Sequence, residues 1–304
     1  MNQEFFSPNL QEADALLSDL FEEVQMWEGT LAGGTKLGIG AEAVDSLFQT
    51  KVSFGNPTNR LIRLTEETFK NSGIELDNTC NQQMQEQFDF YSMTLTVDLR
   101  PKRAAKFWRL TCELDFSPKG SNEPIVQKLF PNQQWRSVMS CGVGMEVGLN
   151  GNLDWNVGVD SARIAELVEL LPGELKANVG NKDDFQALLA LPKYQYELGH
   201  LEIIANGEGS STCYWLIQDK ELQKIGTAKF AIVFKVPKET DEIKLRGKVW
   251  AEPDINWLTA DVRDIFGELS DRFKQLLRQK NEVASRFARG DAEEWTIALP
   301  KIIR

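Results

Sequence analysis

A chain of 304 residues with 42% hydrophobic and 26% charged residues has the composition of a soluble globular protein. No run approaches the roughly 20 apolar residues of a membrane-spanning helix, and the first residues lack the basic and apolar regions of a signal peptide. We therefore expect a cytoplasmic protein. The net charge is −11, and residues 1–88 hold 14 acidic and 5 basic residues, which argues against specific binding of nucleic acid.

The first predicted element is an amphipathic helix over residues 9–28. Apolar side chains recur at three- and four-residue spacing, as in Leu10, Leu17 and Val24, whereas the opposite side carries acidic residues and no basic one. A glycine-rich link follows, and a second, short helix is predicted at residues 41–49.

Residues 71–87 are polar and rich in glutamine and asparagine, a composition typical of a connecting arm with little core of its own. We therefore predict two parts. Residues 1–88 form an acidic helical N-terminal region and linker, and residues 89–304 form an α+β body. The body has the outline of a duplication, with four strands and a helix in each of residues 89–172 and 192–288.

The body is predicted to contain three β-hairpins, of which the first and the last are ordinary amphipathic ones. The first joins residues 90–99 to residues 108–116. Its loop has a basic rim formed by Arg100, Lys102, Arg103 and Lys106. The last joins residues 228–236 to residues 243–249 across the loop at 237–242. In both hairpins the apolar residues occupy every second position and would form one buried face.

The middle hairpin, at residues 141–160, has the strictest alternation in the chain. A two-residue turn would mix apolar and polar residues on one face, so parity requires a three-residue loop at 150–152. This register pairs Val147 with Trp155 and builds a continuous apolar stripe. The other face carries small, polar or acidic residues, namely Gly142, Gly144, Glu146, Gly148, Asp154, Asn156 and Gly158. Because glycine has no side chain, we interpret this face as a surface for close approach of a backbone or a ligand.

The remaining elements are mostly helices. Short ones are predicted at residues 163–171 and 184–191, and the longest at residues 259–288, where apolar residues keep a heptad spacing. A last strand is predicted at residues 294–302. Strands and helices do not alternate regularly, so the predicted class is α+β, with antiparallel sheets built from three hairpins and amphipathic helices at both ends.

One face of the last hairpin is predicted to be basic. It consists of Lys229, Lys235, Lys244, Arg246, Lys248 and Trp250. In the hairpin register Lys235 lies opposite Lys244, and such a like-charge pair costs stability unless something anionic covers it. Nucleic acid or another phosphate ligand, an anionic membrane surface and the chain's own acidic helix at residues 9–28 are the candidate covers, and of these we favour the helix. An ordinary solvated face without any cover is the other interpretation.

No group of residues predicts an enzyme, a cofactor site or a metal site. Residues 38–43 match Gly-x-Gly-x-x-Ala, but no buried strand precedes them, as a dinucleotide-binding motif requires. His200 is the single histidine, and no Gly-x-Ser-x-Gly elbow is present. The oxygen-rich residues 150–156 have Trp155 where a calcium loop needs glycine. We therefore assign no catalytic residue, no cofactor and no metal ligand.

Three functions are compatible with these patterns. The first is a non-enzymatic binding or regulatory module that acts through protein–protein interaction by its charge-segregated helices. The alternative is a latent pore-forming or membrane-acting effector that uses residues 141–160. Each strand of that hairpin approaches the ~9 to 11 residues that span a bilayer, and apolar residues alternate with glycine or polar ones, as lipid and lumen require. The third is a hydrolase of unknown class.

Overall fold

The computed structural model describes residues 7–31, 39–71, 78–102, 105–131, 202–220, 222–263, 266–278 and 283–300. The predicted hairpin at residues 141–160, with its close-approach face, lies outside these ranges. The same holds for His200 and for the helices predicted at residues 163–171 and 184–191.

The helices of the described residues lie near the two ends of the chain. They are α1 (Leu10–Leu31), α2 (Ile39–Phe48), α3 (Glu66–Asn71), α4 (Asn78–Glu86), α5 (Ile255–Asp261) and α6 (Asp271–Arg278). Asn9 and Asp254 cap α1 and α5, because their side-chain oxygens accept hydrogen bonds from the first free backbone N–H groups. None of these helices is long and apolar enough to cross a membrane.

Strands make up most of the remainder. They are β1 (Lys51–Phe54), β2 (Leu61–Leu64), β3 (Phe88–Arg100), β4 (Phe107–Ser117), β5 (Ile125–Phe130), β6 (Glu202–Asn206), β7 (Thr212–Gln218), β8 (Thr227–Pro237), β9 (Glu242–Pro253) and β10 (Arg289–Ala298). They form two five-stranded antiparallel sheets. The first sheet has the order β1-β3-β8-β5, with β2 also paired to β3, and the second has the order β10-β9-β4-β7-β6. The α+β class with antiparallel sheets is confirmed.

The two sheets pack face to face around one hydrophobic core. Aromatic side chains meet across the interface. The ring centroids of Phe116 in the second sheet and Phe234 in the first are 5.0 Å apart, and those of Trp215 and Phe230 are 4.7 Å apart. Such aromatic pairs contribute about 0.5–1.5 kcal/mol beyond the area they bury. The core therefore lies where the apolar faces of the alternating strands meet.

The first and the last predicted hairpins are wrong. β3 and β4 lie in different sheets, and so do β8 and β9. β8 pairs with β3 and β5, whereas β9 pairs with β4 and β10. Alternation determines which side of a strand faces the core. That side is the same whether the next strand lies beside it or crosses to the facing sheet, so the pattern alone does not distinguish the two arrangements.

The long helix predicted at residues 259–288 is not one helix either. The described residues form α5, α6 and a 3-10 turn at Ala284–Phe287, with a turn around Gly267 between the two helices. The apolar seam is nevertheless buried, since Phe273 and Val283 are at most 2% exposed. The heptad spacing therefore identified core positions and not a continuous helix.

Elements before residue 88 share the sandwich with those after it. β1 and β2 both pair with β3, and α1 buries Leu17 and Leu20 in the common hydrophobic core. Close approach of α1 to β10 depends on Gly290. A Cβ atom there would lie 2.8 Å from Leu10 Cδ2 and 2.3 Å from the carbonyl oxygen of Val249. Both distances are too short for a side chain.

Candidate functional site

The chain leaves and re-enters the described fold through two neighbouring edge strands. β5 is the last strand of the first sheet, and β6 is the last strand of the second. Val126 of β5 donates its N–H to the Ser210 carbonyl at 2.9 Å and accepts from the Gly209 N–H at 2.8 Å. Lys128 Nζ lies 3.4 Å from Glu208 Oε2. These contacts fix the edge of one sheet to the turn that follows β6.

Both attachment points lie toward the same end of the sandwich. β5 is antiparallel to β8, so Phe130 at the end of β5 lies near the start of β8, opposite Ala231. From the turn that contacts Val126, β6 extends back to Glu202, which pairs with Gln218 at the end of β7. The segment at residues 132–201 therefore connects the end of β5 to the start of β6, and both of these points lie at the same end of the sandwich.

At this end the loop that follows β7 is bonded to β3 and β4, the strands on either side of the loop that follows β3. The Leu99 N–H donates to the Gly226 carbonyl at 2.7 Å, and the Asp219 N–H donates to the Trp108 carbonyl at 3.0 Å. The basic rim predicted for the loop after β3 is thus extended by the second loop, which sequence spacing did not indicate. We define the basic end by five exposed cations at this end of the sandwich, Lys51, Arg100, Lys102, Lys106 and Lys220; Arg103 of the predicted rim lies outside the described residues.

The predicted basic face is divided between the sheets. Lys229 and Lys235 lie on β8, and Lys244, Arg246, Lys248 and Trp250 lie on β9. Lys235 and Lys244 are therefore not opposite each other. Lys235 lies between Phe90 and Ile125, and its ammonium nitrogen is 4.3 Å from the centroid of the Phe88 ring. The like-charge pair that motivated an anionic partner is absent from the described pairing.

Acidic residues on neighbouring strands accompany the cations of β9. Glu113 of β4 lies opposite Lys248, and Arg246 Nη2 is 3.7 Å from Glu294 Oε2 of β10. Cross-strand pairs of opposite charge are favourable. Burial lowers the pKa of Lys248, and nearby Glu113 acts in the opposite direction. This part of the second sheet carries both signs of charge.

The acidic side chains of α1 contact the C-terminal part of the chain. The contacts join Asp14 to Arg289, Asp19 to Arg272 and Glu23 to Ser270. The residues just before α1 reach β9, where Lys248 Nζ donates to Ser7 Oγ at 2.7 Å and to the Pro8 carbonyl at 2.5 Å. We predicted that α1 would cover the basic face. In the described residues, the contact with that face is made by Ser7 and Pro8, which precede α1, and it involves Lys248.

A cleft of about 900 Å³ separates α1 from α6 and the 3-10 turn that follows it. Small-molecule sites have volumes of this order. Charged side chains of both signs line it, with Glu12 and Asp19 on one wall and Arg272 and Arg286 on the other. Because the charges are balanced, the cleft does not define a class of ligand.

Arg109 and Glu252 form a buried ion pair on the outer face of the second sheet. Arg109 Nη2 lies 2.7 and 2.6 Å from the two carboxylate oxygens of Glu252, and Trp250 Nε1 donates to the same carboxylate at 3.2 Å. Glu252 is 1% exposed. Burial raises the pKa of Glu252, and the charge and hydrogen bond of Arg109 oppose that rise. The pair is a structural element that requires both partners.

The described nucleophiles do not assemble an active site. Ser211 Oγ lies 2.6 Å from Lys119 Nζ, a distance found in serine–lysine dyads, but the same nitrogen is 2.5 Å from Asp115 Oδ1 in an ion pair. The cluster therefore orders the turn before β7. Burial raises the pKa of the Cys112 and Cys213 thiols, which makes the reactive thiolate scarce. Within the described ranges, no three His, Cys, Asp or Glu side chains are grouped as a metal site would require.

No family model matches the sequence, and no curated protein matches it. One similar solved structure is the NetB toxin of Clostridium perfringens in its membrane-inserted form, with 6% identity and a TM-score of 0.28, covering 67% of this chain and 83% of that chain. Another is described as a pore forming protein, with 7% identity and a TM-score of 0.30, covering 67% and 79%. TM-scores of this size do not establish a common fold.

Proposed function

We propose that this protein is a latent pore-forming protein that inserts residues 141–160 into a membrane as a β-hairpin. The observation that carries the proposal is where these residues are attached. The strictly alternating sequence lies within the segment at residues 132–201, which joins the edge strands of the two sheets at one end of the sandwich.

The two strands that flank the segment are held by bonds within the described sandwich. β5 is held by its ladder with β8, and β6 by its ladder with β7. The hydrogen bonds of Val126 to Ser210 and Gly209 add a link between the two edges. None of these bonds involves residues 132–201, as insertion of that segment from a folded sandwich requires.

The alternation suits a hairpin that separates lipid from water. The stripe that contains Val147 and Trp155 would face the acyl chains, and the glycine and acidic face would line the lumen. Unpaired backbone groups are costly in hydrocarbon, so a hairpin with two open edges does not span a bilayer alone. The smallest membrane barrels have about 8 strands, which corresponds to about four copies of this hairpin.

The reading as a protein-binding module has less support. That hypothesis rests chiefly on the lack of a predicted catalytic group and on helices with segregated charge, whose apolar seams would be free to engage a partner. In the structure Leu17, Leu20 and Val24 of α1 are fully buried in the chain's own core, and Phe273 of α6 is 2% exposed. The apolar seams of these helices are thus buried within a single chain and do not need a partner protein.

Release of an entrapped dye from phospholipid vesicles tests the proposal. We expect leakage whose rate rises more steeply than the first power of protein concentration, because several copies must close a barrel. Absence of release at every protein concentration, both before and after limited proteolysis, would refute the pore-forming function.

A further inference from the structure

We infer that the basic end is a docking surface for anionic phospholipid headgroups. Its five cations, Lys51, Arg100, Lys102, Lys106 and Lys220, are all exposed. The inference rests on the proposed pore-forming function, because docking would bring that function to a membrane. Binding of the protein to vesicles is nevertheless measured separately from leakage.

The cations come from three separate parts of the chain that the fold brings together. Lys51 lies directly opposite Arg100 in the β1–β3 ladder. The Lys102 N–H donates to Thr50 Oγ1 at 3.4 Å, which holds the loop after β3 against the residue before β1. Lys220 lies in the loop that the hydrogen bond between Leu99 and Gly226 fastens to the end of β3. Like charges opposite each other cost stability, and Asp98, which lies 2.8 Å from Arg100, offsets part of this cost.

Among the described residues, two carboxylates near these cations already have hydrogen-bond partners. Asp98 accepts hydrogen bonds from Thr227 Oγ1 and from Arg100, each at 2.8 Å, and Asp254 caps α5. On the helices, Asp45 accepts a hydrogen bond from the Gln49 side chain, and Asp14 contacts Arg289. Asp219 lies half-buried beside Lys220.

The cations are far less engaged. Arg100 is 71% exposed at the side chain despite its contact with Asp98. Among the residues that the structure describes, no carboxylate forms an ion pair with Lys102, Lys106 or Lys220. The surface therefore presents net positive charge on a chain whose formal net charge is −11. Such an asymmetry orients a protein on a negatively charged surface.

The position of the basic end favours a membrane over a nucleic acid. β6 begins at Glu202, opposite Gln218, and Lys220 follows two residues later. β5 runs toward the same end. Docking of these cations on headgroups would place the attachment points of residues 132–201 at the bilayer. A nucleic acid would gain nothing from this arrangement.

Co-sedimentation of the full chain with two kinds of vesicle tests the inference. One is pure phosphatidylcholine, and the other is phosphatidylcholine mixed with phosphatidylserine. We expect binding to the mixed vesicles that weakens as salt is raised. The Lys102→Gln/Lys106→Gln variant should bind the mixed vesicles about 25-fold more weakly, since each lysine near an anionic surface changes affinity about fivefold. The matched control, Lys244→Gln/Arg246→Gln, removes two exposed cations of β9 and should bind as the unmodified protein does.

The outcomes separate this inference from the pore-forming function. Equal binding to both vesicle types, equal weakening by the two double variants, or tighter binding to double-stranded DNA than to mixed vesicles would each overturn the docking surface. Leakage from pure phosphatidylcholine alone would overturn docking and leave pore formation standing. Binding to mixed vesicles without leakage under any activating condition would support docking and refute the pore.

Discussion

Replacement of Val147 by arginine is expected to lower vesicle leakage at least about 30-fold. Val147 lies near the middle of its predicted strand, on the apolar stripe. An arginine on the lipid face of a membrane barrel costs about 2–4 kcal/mol near the midplane, and 2 kcal/mol corresponds to a factor of about 30. The measurement is the initial rate of dye release for equal amounts of folded protein, with folding verified by circular dichroism and thermal unfolding.

The matched control for this prediction is the preceding residue. Glu146→Arg places the same side chain on the opposite face, where it would meet water in the lumen, and should retain leakage. Val147→Leu keeps the stripe apolar and should also retain it, which separates polarity from an effect on folding. A folded Val147→Arg protein that leaks at the unmodified rate would contradict the assignment of the stripe to lipid.

Replacement of Arg109 by methionine is expected to destabilise the fold by about 3–5 kcal/mol. The change leaves the carboxylate of Glu252, 1% exposed, without its guanidinium partner. Chemical denaturation followed by tryptophan fluorescence gives the change in free energy of unfolding. The expected loss is large because the carboxylate left behind is buried. Removal of a surface arginine takes away the same charge but leaves its partner in water.

Arg100→Met is the matched control for that experiment. Arg100 also contacts a carboxylate at 2.8 Å, but its side chain is 71% exposed, and pairs of this kind contribute about 0–1 kcal/mol. The double variant Arg109→Met/Glu252→Gln should recover part of the loss, because no uncompensated buried charge remains. Equal losses for Arg109→Met and Arg100→Met would show that the buried pair has no special role.

The apolar faces of the strands could be predicted from the sequence, but their partners could not. Tyr91, Leu95 and Leu99 of β3 alternate in the sequence and are at most 2% exposed in the structure. The period of two states which side of a strand is buried. It contains no information on whether β4 lies beside β3 or across the core, since the same side faces inward in both cases.

One signal in the sequence did argue against the last hairpin. Its register placed Lys235 opposite Lys244, an unfavourable pair, and this cost was interpreted as a sign of an anionic partner. The structure removes the cost by placing the two residues in different sheets. A like-charge pair in a predicted register is thus a reason to consider another pairing before a ligand.

The candidate sites were predicted in part. The basic rim after β3 follows directly from Arg100, Lys102 and Lys106 in the sequence, whereas Lys220 joins it through the tertiary fold. The pair of Arg109 and Glu252 has no sequence signal, because its members are 143 residues apart and neither is unusual locally. Local patterns report periodicity, and contacts between distant strands depend on topology.

The most direct test of the central claim is the environment of successive residues of the hairpin on membranes. A polarity-sensitive fluorophore would be attached to single cysteines placed in turn at residues 143–148, in a Cys80→Ser/Cys141→Ser background. Cys112 and Cys213 are buried and would not react. We expect emission to rise on vesicles at residues 143, 145 and 147 and to stay low at 144, 146 and 148. A signal that is unchanged by vesicles, or that lacks the period of two, would contradict insertion of residues 141–160 as a membrane-spanning hairpin.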